Sequence, residues 1–435
     1  MSLQASTAST TWSRAAITGV AIVTFGLVAV ATAFAQGQTD TLRVGTAVAL
    51  AHEANPSLQA ARLRVDAARE RIPQSGALPN PVLTLGLMNR PLDGFGSAER
   101  MTMNTVQLTQ QLPWPGKLGF AHDQSDYLAH AQAFDADEVA HQLTAHVKAV
   151  YYHLAYIDRA LVVMRATREL LRGFQDVSSV KYTVGEGLQQ DVLQAQVAVA
   201  RMTEDITVME QERTASAARL NTLLGRDAIE PIPALELPTP RGGTPPVDSL
   251  MALAALARPA LLAIRARIEA ADAGYRAARR QLYPDLMVSL GYGQRPQYTD
   301  MVTIMLGITV PLWAGGRQLP MRREMLAVQA EQEARERELY NETFARITEL
   351  RAEAARALSL SELYASSVLP QARAAVESAL SAYRVGNVDY MTLIDNQLTV
   401  NRYEIETLRL AAEYRRAVAE LEALISRDLE VGNEE

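Results

Sequence analysis

Residues 117–182 contain no proline. Folded as one α-helix, that tract would be about 100 Å long at 1.5 Å per residue. A single globular domain has no use for such a rod, so the tract belongs to an elongated coiled coil or a helical barrel. A second tract, 318–383, has prolines only at Pro320 and Pro370. Each tract ends on a Tyr-x-Val-Gly turn, Tyr182–Gly185 and Tyr383–Gly386, and each is followed by a return stretch, 188–224 and 388–427, that has neither Gly nor Pro. The low aromatic content, 6%, suits long Ala-rich helices better than a compact mixed core.

The pairing of the two tracts is part of a wider duplication at an offset near 200 residues. Asn55-Pro56-Ser57-Leu58 matches Arg258-Pro259-Ala260-Leu261, and both prolines suit the first turn of a helix. Pro79–Gly86 matches Pro284–Gly291, and Leu112–Lys117 matches Val310–Arg317. Matches in one order at a nearly constant offset mark an internal repeat. The expected organisation is a signal peptide over 1–35 and a first repeat over 36–225. A Pro-rich connector covers 226–257, a second repeat 258–427, and a tail 428–435. Each repeat carries a helix (56–77, 259–282), a β-hairpin (81–112, 285–312) and a long helical hairpin (117–224, 318–427). The connector has six prolines between Pro231 and Pro246, which favours extended chain.

The N-terminus predicts export. Arg14 precedes an apolar run, and Ala33-Phe34-Ala35 forms a small-residue cleavage site. No later segment has 18 consecutive apolar residues, so no transmembrane helix is expected beyond the signal. The chain has no cysteine, which excludes disulfides, thiolate metal sites and a lipid anchor built on cysteine. A net charge of −7 without a basic block argues against nucleic acid as a partner.

The hairpins alternate with period two. Leu83, Leu85 and Leu87 oppose Thr84 and Gly86; Val106 and Leu108 oppose Thr105, Gln107 and Thr109. Leu286, Val288, Leu290 and Tyr292 oppose Met287, Ser289 and Gly291. Val302 to Leu312 alternates in the same way. Runs of this length cross an outer membrane as tilted strands. Four strands cannot close a barrel, and open edges are not tolerated in lipid. Two chains would supply eight strands around a filled interior, and three would supply twelve around a lumen. The Gly/Ser/Thr inner faces favour the lumen. The fold expected is thus mainly α with a membrane β part, internally duplicated: a homotrimeric outer-membrane β-barrel, four strands per chain, continued by a long periplasmic α-helical barrel.

These motifs together resemble those of TolC-like outer-membrane efflux proteins, nearest the cation-efflux (CzcC-like) branch. They are Asn55–Leu58, Pro79-Asn80-Pro81, Tyr283–Leu286, Val310–Gly316 and the two Tyr-x-Val-Gly turns, and the likeness spans about residues 40–427. The resemblance implies a passive, non-enzymatic channel without cofactors. It also implies a periplasmic adaptor (membrane fusion) protein, an inner-membrane pump, most naturally of the RND type, and outer-membrane lipid as partners. Heavy-metal efflux is the branch expectation.

Six such turns in a trimer would present Val184, Gly185, Glu186 and Gly187 with Val385, Gly386, Asn387 and Val388 at one end, where an adaptor docks. Asp395 follows the second turn, and three copies converging there form a cation-attracting ring or gate. The resemblance implies two acidic positions at this entrance. Asp395 matches one, Thr392 occupies the other, and Asp191 is the first-half counterpart of Thr392. An Arg latch implied by the best-known member falls on Val388. Trp114 and Trp313, where strand passes to helix, are read as membrane-interface anchors. His122, His130, His141, His146 and His153 offer no i, i+4 pair and hence no preformed metal site. Met88, Met101, Met103, Met301 and Met305 lie in or near the strands, and the cation assignment rests on resemblance rather than on ligands. Gly173 and Pro370 correspond within about one turn and are expected to mark bends. No nucleophile, zinc or phosphate-loop motif is present. The sequence also admits two other readings, an outer-membrane conduit for type I polypeptide secretion and a periplasmic coiled-coil adaptor. The four membrane-length strands disfavour the adaptor.

Overall fold

The computed structural model describes residues 41–92 and 100–429. The signal peptide, the tip of the first hairpin at 93–99 and the end of the tail lie outside the described residues. Among the described residues ten α-helices and four strands follow in two similar series. The first is α1 (Val44–Ala54), α2 (Pro56–Arg69), α3 (Arg71–Gly76), β1 (Val82–Met88), β2 (Met103–Leu112), α4 (Lys117–Thr183) and α5 (Gln189–Leu223). The second is α6 (Val247–Ala257), α7 (Pro259–Arg280), β3 (Asp285–Gln294), β4 (Met301–Thr309), α8 (Gln318–Leu363), α9 (Leu369–Arg384) and α10 (Tyr390–Ile425).

The short helices follow local chemistry. Asn55 is extended (ψ 121°), as a residue before proline must be, and its side chain accepts from the Ser57 and Leu58 amides to cap α2. The expected helix over 56–77 divides at Glu70 instead of running through. Pro73 has no N–H to give the Arg69 carbonyl and its ring crowds that oxygen, so the ladder ends there.

The four strands form one antiparallel sheet in the order β1-β2-β3-β4. The two hairpins therefore join through β2 and β3, which pair from Asn104↔Gln294 to Leu112↔Leu286. Register aligns the apolar sets in rows: Leu83, Leu108, Leu290 and Ile304 form one, and Leu85, Val106, Tyr292 and Val302 the next. These side chains are exposed, up to 72% for Ile304, while on the opposite face Ser289, bonded to the Thr109 hydroxyl at 2.9 Å, is only 6% exposed. β4 stops at Thr309, short of the expected Leu312, because Pro311 cannot donate to a ladder. The Leu312 amide turns back to the Val310 carbonyl at 2.9 Å. β1 and β4 have open outer edges.

α4 is continuous for 67 residues, about 100 Å, straight through Gly173. Glycine weakens a helix but keeps its donor. In the second series a π-helical turn, Tyr364–Val368, separates α8 from α9 just before Pro370. There the missing donor is absorbed by widening the ladder. α4 packs on α5, α7 and α10, and α8 packs on α7 and α10. Their contacts are small and apolar, including Ala155, Ala160, Ala354, Ala357 and Ala417, which lets the rods approach closely. The connector lies extended along this body. The Tyr151 hydroxyl donates to Leu42 O (2.6 Å) and accepts from Glu236 N (3.1 Å), and the Tyr414 hydroxyl donates to Gly242 O at 2.7 Å.

One ion pair joins the two series where sheet meets helix. Lys117, the first residue of α4, donates to Asp285 Oδ1 (2.7 Å) and Tyr283 O (2.9 Å), and Asp285 also accepts the Trp114 amide at 2.9 Å. The side chains are 6% and 17% exposed. Removing one charge strands the other, at a cost on the order of 3 kcal/mol, whereas removing both is often nearly neutral. Thermal unfolding of the purified channel is expected to fall clearly for Lys117→Met and to recover in Lys117→Met/Asp285→Leu. A double variant no more stable than the single would show that the pair contributes no more than packing.

Candidate functional site

Both helical hairpins reverse in the same way. After α4 the Glu186 amide bonds Lys181 O (2.9 Å) and the Gly185 amide bonds Tyr182 O (3.1 Å). After α9 the Asn387 amide bonds Ala382 O (3.0 Å) and the Gly386 amide Tyr383 O (3.2 Å). These are Schellman caps, and each needs a left-handed residue; Gly185 and Gly386 supply φ of +78° and +76° with open space around them. Around the glycines, Val184 (64%) and Val385 (71%) are exposed, as are Glu186 and Asn387. Gly187 and Val388 are half-buried. Two exposed valines on rigid turns are a compact apolar surface with no partner within the described chain.

The turns are held to each other. Lys181 Nζ donates to Tyr383 O at 3.1 Å and lies 4.2 Å from the centre of the Tyr383 ring. Tyr383 meets Tyr390 at 5.5 Å. Tyr390 is 1% exposed, and its hydroxyl faces Ser178, whose own hydroxyl already donates to Gln175 O. Burial holds the Tyr390 and Tyr383 hydroxyls above the usual phenol range, and nearby Asp191 pushes the same way. Lys181 and Tyr390 carry no motif of their own, so sequence patterning gave them no role.

The three residues read as gate candidates go to three places. Asp191 stands beside the tyrosine pair. Thr392 is used in the cap of α10, where its amide (3.1 Å) and hydroxyl both donate to Asp389. Asp395 is exposed and lines a groove of about 630 Å³ between α5 and α10, with Leu193, Val197 and Arg201 opposite. Asp389 is the acid that sequence reading passed over; its place three residues before Thr392 at a helix start was the available signal. The Thr392 hydroxyl and amide hold its carboxyl below the usual range.

The tryptophans also part ways. Trp114 is half-buried and stacks on Tyr283 at 5.5 Å with the rings 14° apart. Trp313 is 83% exposed. Among the described residues no three His, Asp or Glu side chains gather as a metal site. His153, for one, sits 3.2 Å from Glu212 on the helix surface.

A duplicated protomer with a four-stranded sheet continued by long helical hairpins is the fold of TolC-like outer-membrane channels. The structure superposes on VceC of Vibrio cholerae with a TM-score of 0.75 at 18% identity, over 89% of this chain and 97% of that one. For CusC the TM-score is 0.76 at 17% identity, over 88% and 91%. The chain belongs to the outer membrane efflux protein family, which matches residues 47–226 and 250–427. It is 24% identical over 409 residues to the pyoverdine export outer membrane protein OpmQ of Pseudomonas putida, covering 87% of this chain and 83% of that protein. It is therefore an outer-membrane efflux channel protein with a periplasmic helical body, as its motifs implied.

Losing the Lys181 charge removes a contact worth about 1 kcal/mol. Hydrogen exchange at the Val385–Asn387 amides is expected to quicken about fivefold in Lys181→Met, with thermal unfolding unchanged. Equal exchange in both proteins would show that the clasp does not hold the turns.

Proposed function

We propose that three copies of this chain form a passive exit duct for small substrates, metal cations or drugs, delivered by an inner-membrane pump through a periplasmic adaptor. The observation that carries this reading is the sheet: it shows an apolar outer face and open edges at β1 and β4. Lipid does not accept unpaired strand edges, and twelve strands from three copies pair every one while leaving a lumen. In that assembly Trp313 reaches the membrane interface, while Trp114 acts as a packing anchor at the strand-to-helix corner. The turns Val184–Gly187 and Val385–Val388 form the periplasmic tip, and their exposed valines are the adaptor's contact. A relative that serves pyoverdine export supports small cargo over polypeptide.

The entrance is acidic in this reading. Asp389 and Asp395 lie about 9 Å apart along the α10 axis and about 120° apart around it, so three copies would charge the entrance at two levels and on two sides of the helix. Asp389 thus takes the part that Thr392, bound up in the helix cap, does not play. Rings of carboxylates concentrate cations and repel anions.

Planar-bilayer recordings test this. The wild-type channel is expected to favour cations, Asp395→Asn to weaken that preference, and Asp389→Asn/Asp395→Asn to abolish it. A group whose pKa is depressed keeps its charge as pH falls until that lower pKa is passed. The preference left in Asp395→Asn should therefore survive below the ordinary aspartate midpoint of about 3.9. Unchanged selectivity in the double variant would remove the rings from the mechanism. A monomer in the unheated outer-membrane fraction would overturn the duct itself.

A further inference from the structure

The chain carries a net charge of −7, yet the last three turns of α7 are basic. Between Asp272 and Gln281 a single acid accompanies Arg276, Arg279 and Arg280. That acid is used: Asp272 pairs with Arg276 one turn further on. Arg279 is exposed, and neither it nor Arg280 has a carboxylate partner among the described residues. The α7 dipole favours cations in its last turn, but it does not decide where their side chains point.

On α7, Ala270, Ala271, Gly274 and Ala278 are buried. A Cβ on Gly274 would meet Gln124 of α4 and Met325 of α8, so both long helices pack on that side. At about 100° per residue, Arg276 and Arg279 stand on the side turned away from them. Arg265 is on that side too, three turns before Arg276, and donates to Ala255 O of α6 at 3.0 Å. The short helix α6 therefore lies along the face that bears the arginines. In the trimer proposed above a helix so placed is outside the tube, and the face looks outward. Arg280 turns towards the sheet: its guanidinium is 5.5 Å from the centre of the Tyr283 ring, which itself stacks on Trp114. The outward apolar row of β3, Leu286, Val288 and Leu290, starts three residues later and is exposed. Tyr283 thus stands about 10 Å below Leu286, and the arginine heads beside it fall at the depth of a headgroup layer.

We propose that Arg279 and Arg280 bind the phosphate of an anionic phospholipid at the periplasmic surface of the outer membrane, with its acyl chains along Leu286, Val288 and Leu290. Guanidinium groups match phosphate oxygens in charge and in geometry. A zwitterionic lipid brings its own ammonium and cancels much of that attraction, whereas an anionic one keeps it. The Arg280 head already rests on a ring, so it loses little freedom when the phosphate arrives. Headgroup and chains are then held on one continuous strip of α7 and β3. The first repeat has no counterpart, since residues 72–77, before its own hairpin, carry no charge. The site occurs once per chain. Its outward placement rests on the trimeric duct proposed above; the strip itself belongs to the single chain.

The test is phosphatidylglycerol binding by the purified full-length channel in neutral detergent, beside phosphatidylcholine and inorganic phosphate. Arg279→Gln is expected to weaken phosphatidylglycerol binding about fivefold and Arg279→Gln/Arg280→Gln about 25-fold. Phosphatidylcholine binding should be equal in all three proteins, and inorganic phosphate should not compete. In wild type, phosphatidylglycerol with a photoreactive headgroup should label residues 276–286, a readout that does not depend on the variants folding. Equal phosphatidylglycerol binding in the double variant, with the label elsewhere, would overturn the site and leave the duct standing. Competition by inorganic phosphate would show a free-anion site and overturn the lipid. A change of ion selectivity in bilayers with unchanged lipid binding would put the arginines on the lumen and overturn the site likewise. Absence of any conductance in wild type would overturn the duct, and the labelling would still decide the site.

Discussion

A backbone amide or carbonyl inside a bilayer has no water to turn to, and every other feature of this chain is arranged around that fact. The helices meet the demand internally, since their groups bond within the segment. The sheet does not: four strands pair three times and leave two rows of groups, along β1 and β4, without partners among the described residues. In the proposed trimer the need for closure therefore passes from the strand to the assembly. It also explains why the two hairpins are locked at β2–β3 and why a buried pair, Lys117 and Asp285, fastens the first rod to the second hairpin. In the proposed duct, a sheet that meets copies of itself along both edges needs its own two halves in fixed register first.

The helical body then carries that geometry over about 100 Å to the turns. Its packing is made of alanines and a few large anchors. Small side chains let long rods lie close along their whole length, while the fully buried Tyr151 and Tyr414 use their hydroxyls to hold the connector against the rods. The scarcity of aromatics follows from this plan, because bulky rings would force the rods apart.

What could be read in the sequence was whatever depends on neighbours in the chain. The absence of proline in 117–182 foretold α4, period two foretold both faces of the sheet, and the repeated Tyr-x-Val-Gly foretold two identical caps. What escaped depends on residues far apart. Trp114 meets Tyr283 across 169 positions of chain, and nothing near Trp114 announces a stacking partner. Lys181 finds Tyr383 from the other half. The gate candidates show the same limit. Matching of motifs put an acid or its replacement at Thr392, while the fold uses Thr392 to cap a helix on Asp389.

The two halves descend from one plan and differ most in stiffness. α4 runs unbroken through Gly173, since a glycine lowers helix propensity without removing a hydrogen bond. At the corresponding place the second half has Pro370, which removes a donor and displaces a carbonyl, and the chain answers with the π-turn Tyr364–Val368. A widened turn has longer, less aligned bonds and bends more readily than the α-helix on either side. α9, beyond that turn, carries Tyr383 and leads through the Gly386 cap into the helix that bears Asp395. The stiff rod and the jointed rod are held at their far ends by the Lys181 contact to Tyr383. The one π-turn among the described residues thus lies in the acid-bearing hairpin, while the long helix of the first hairpin runs unbroken.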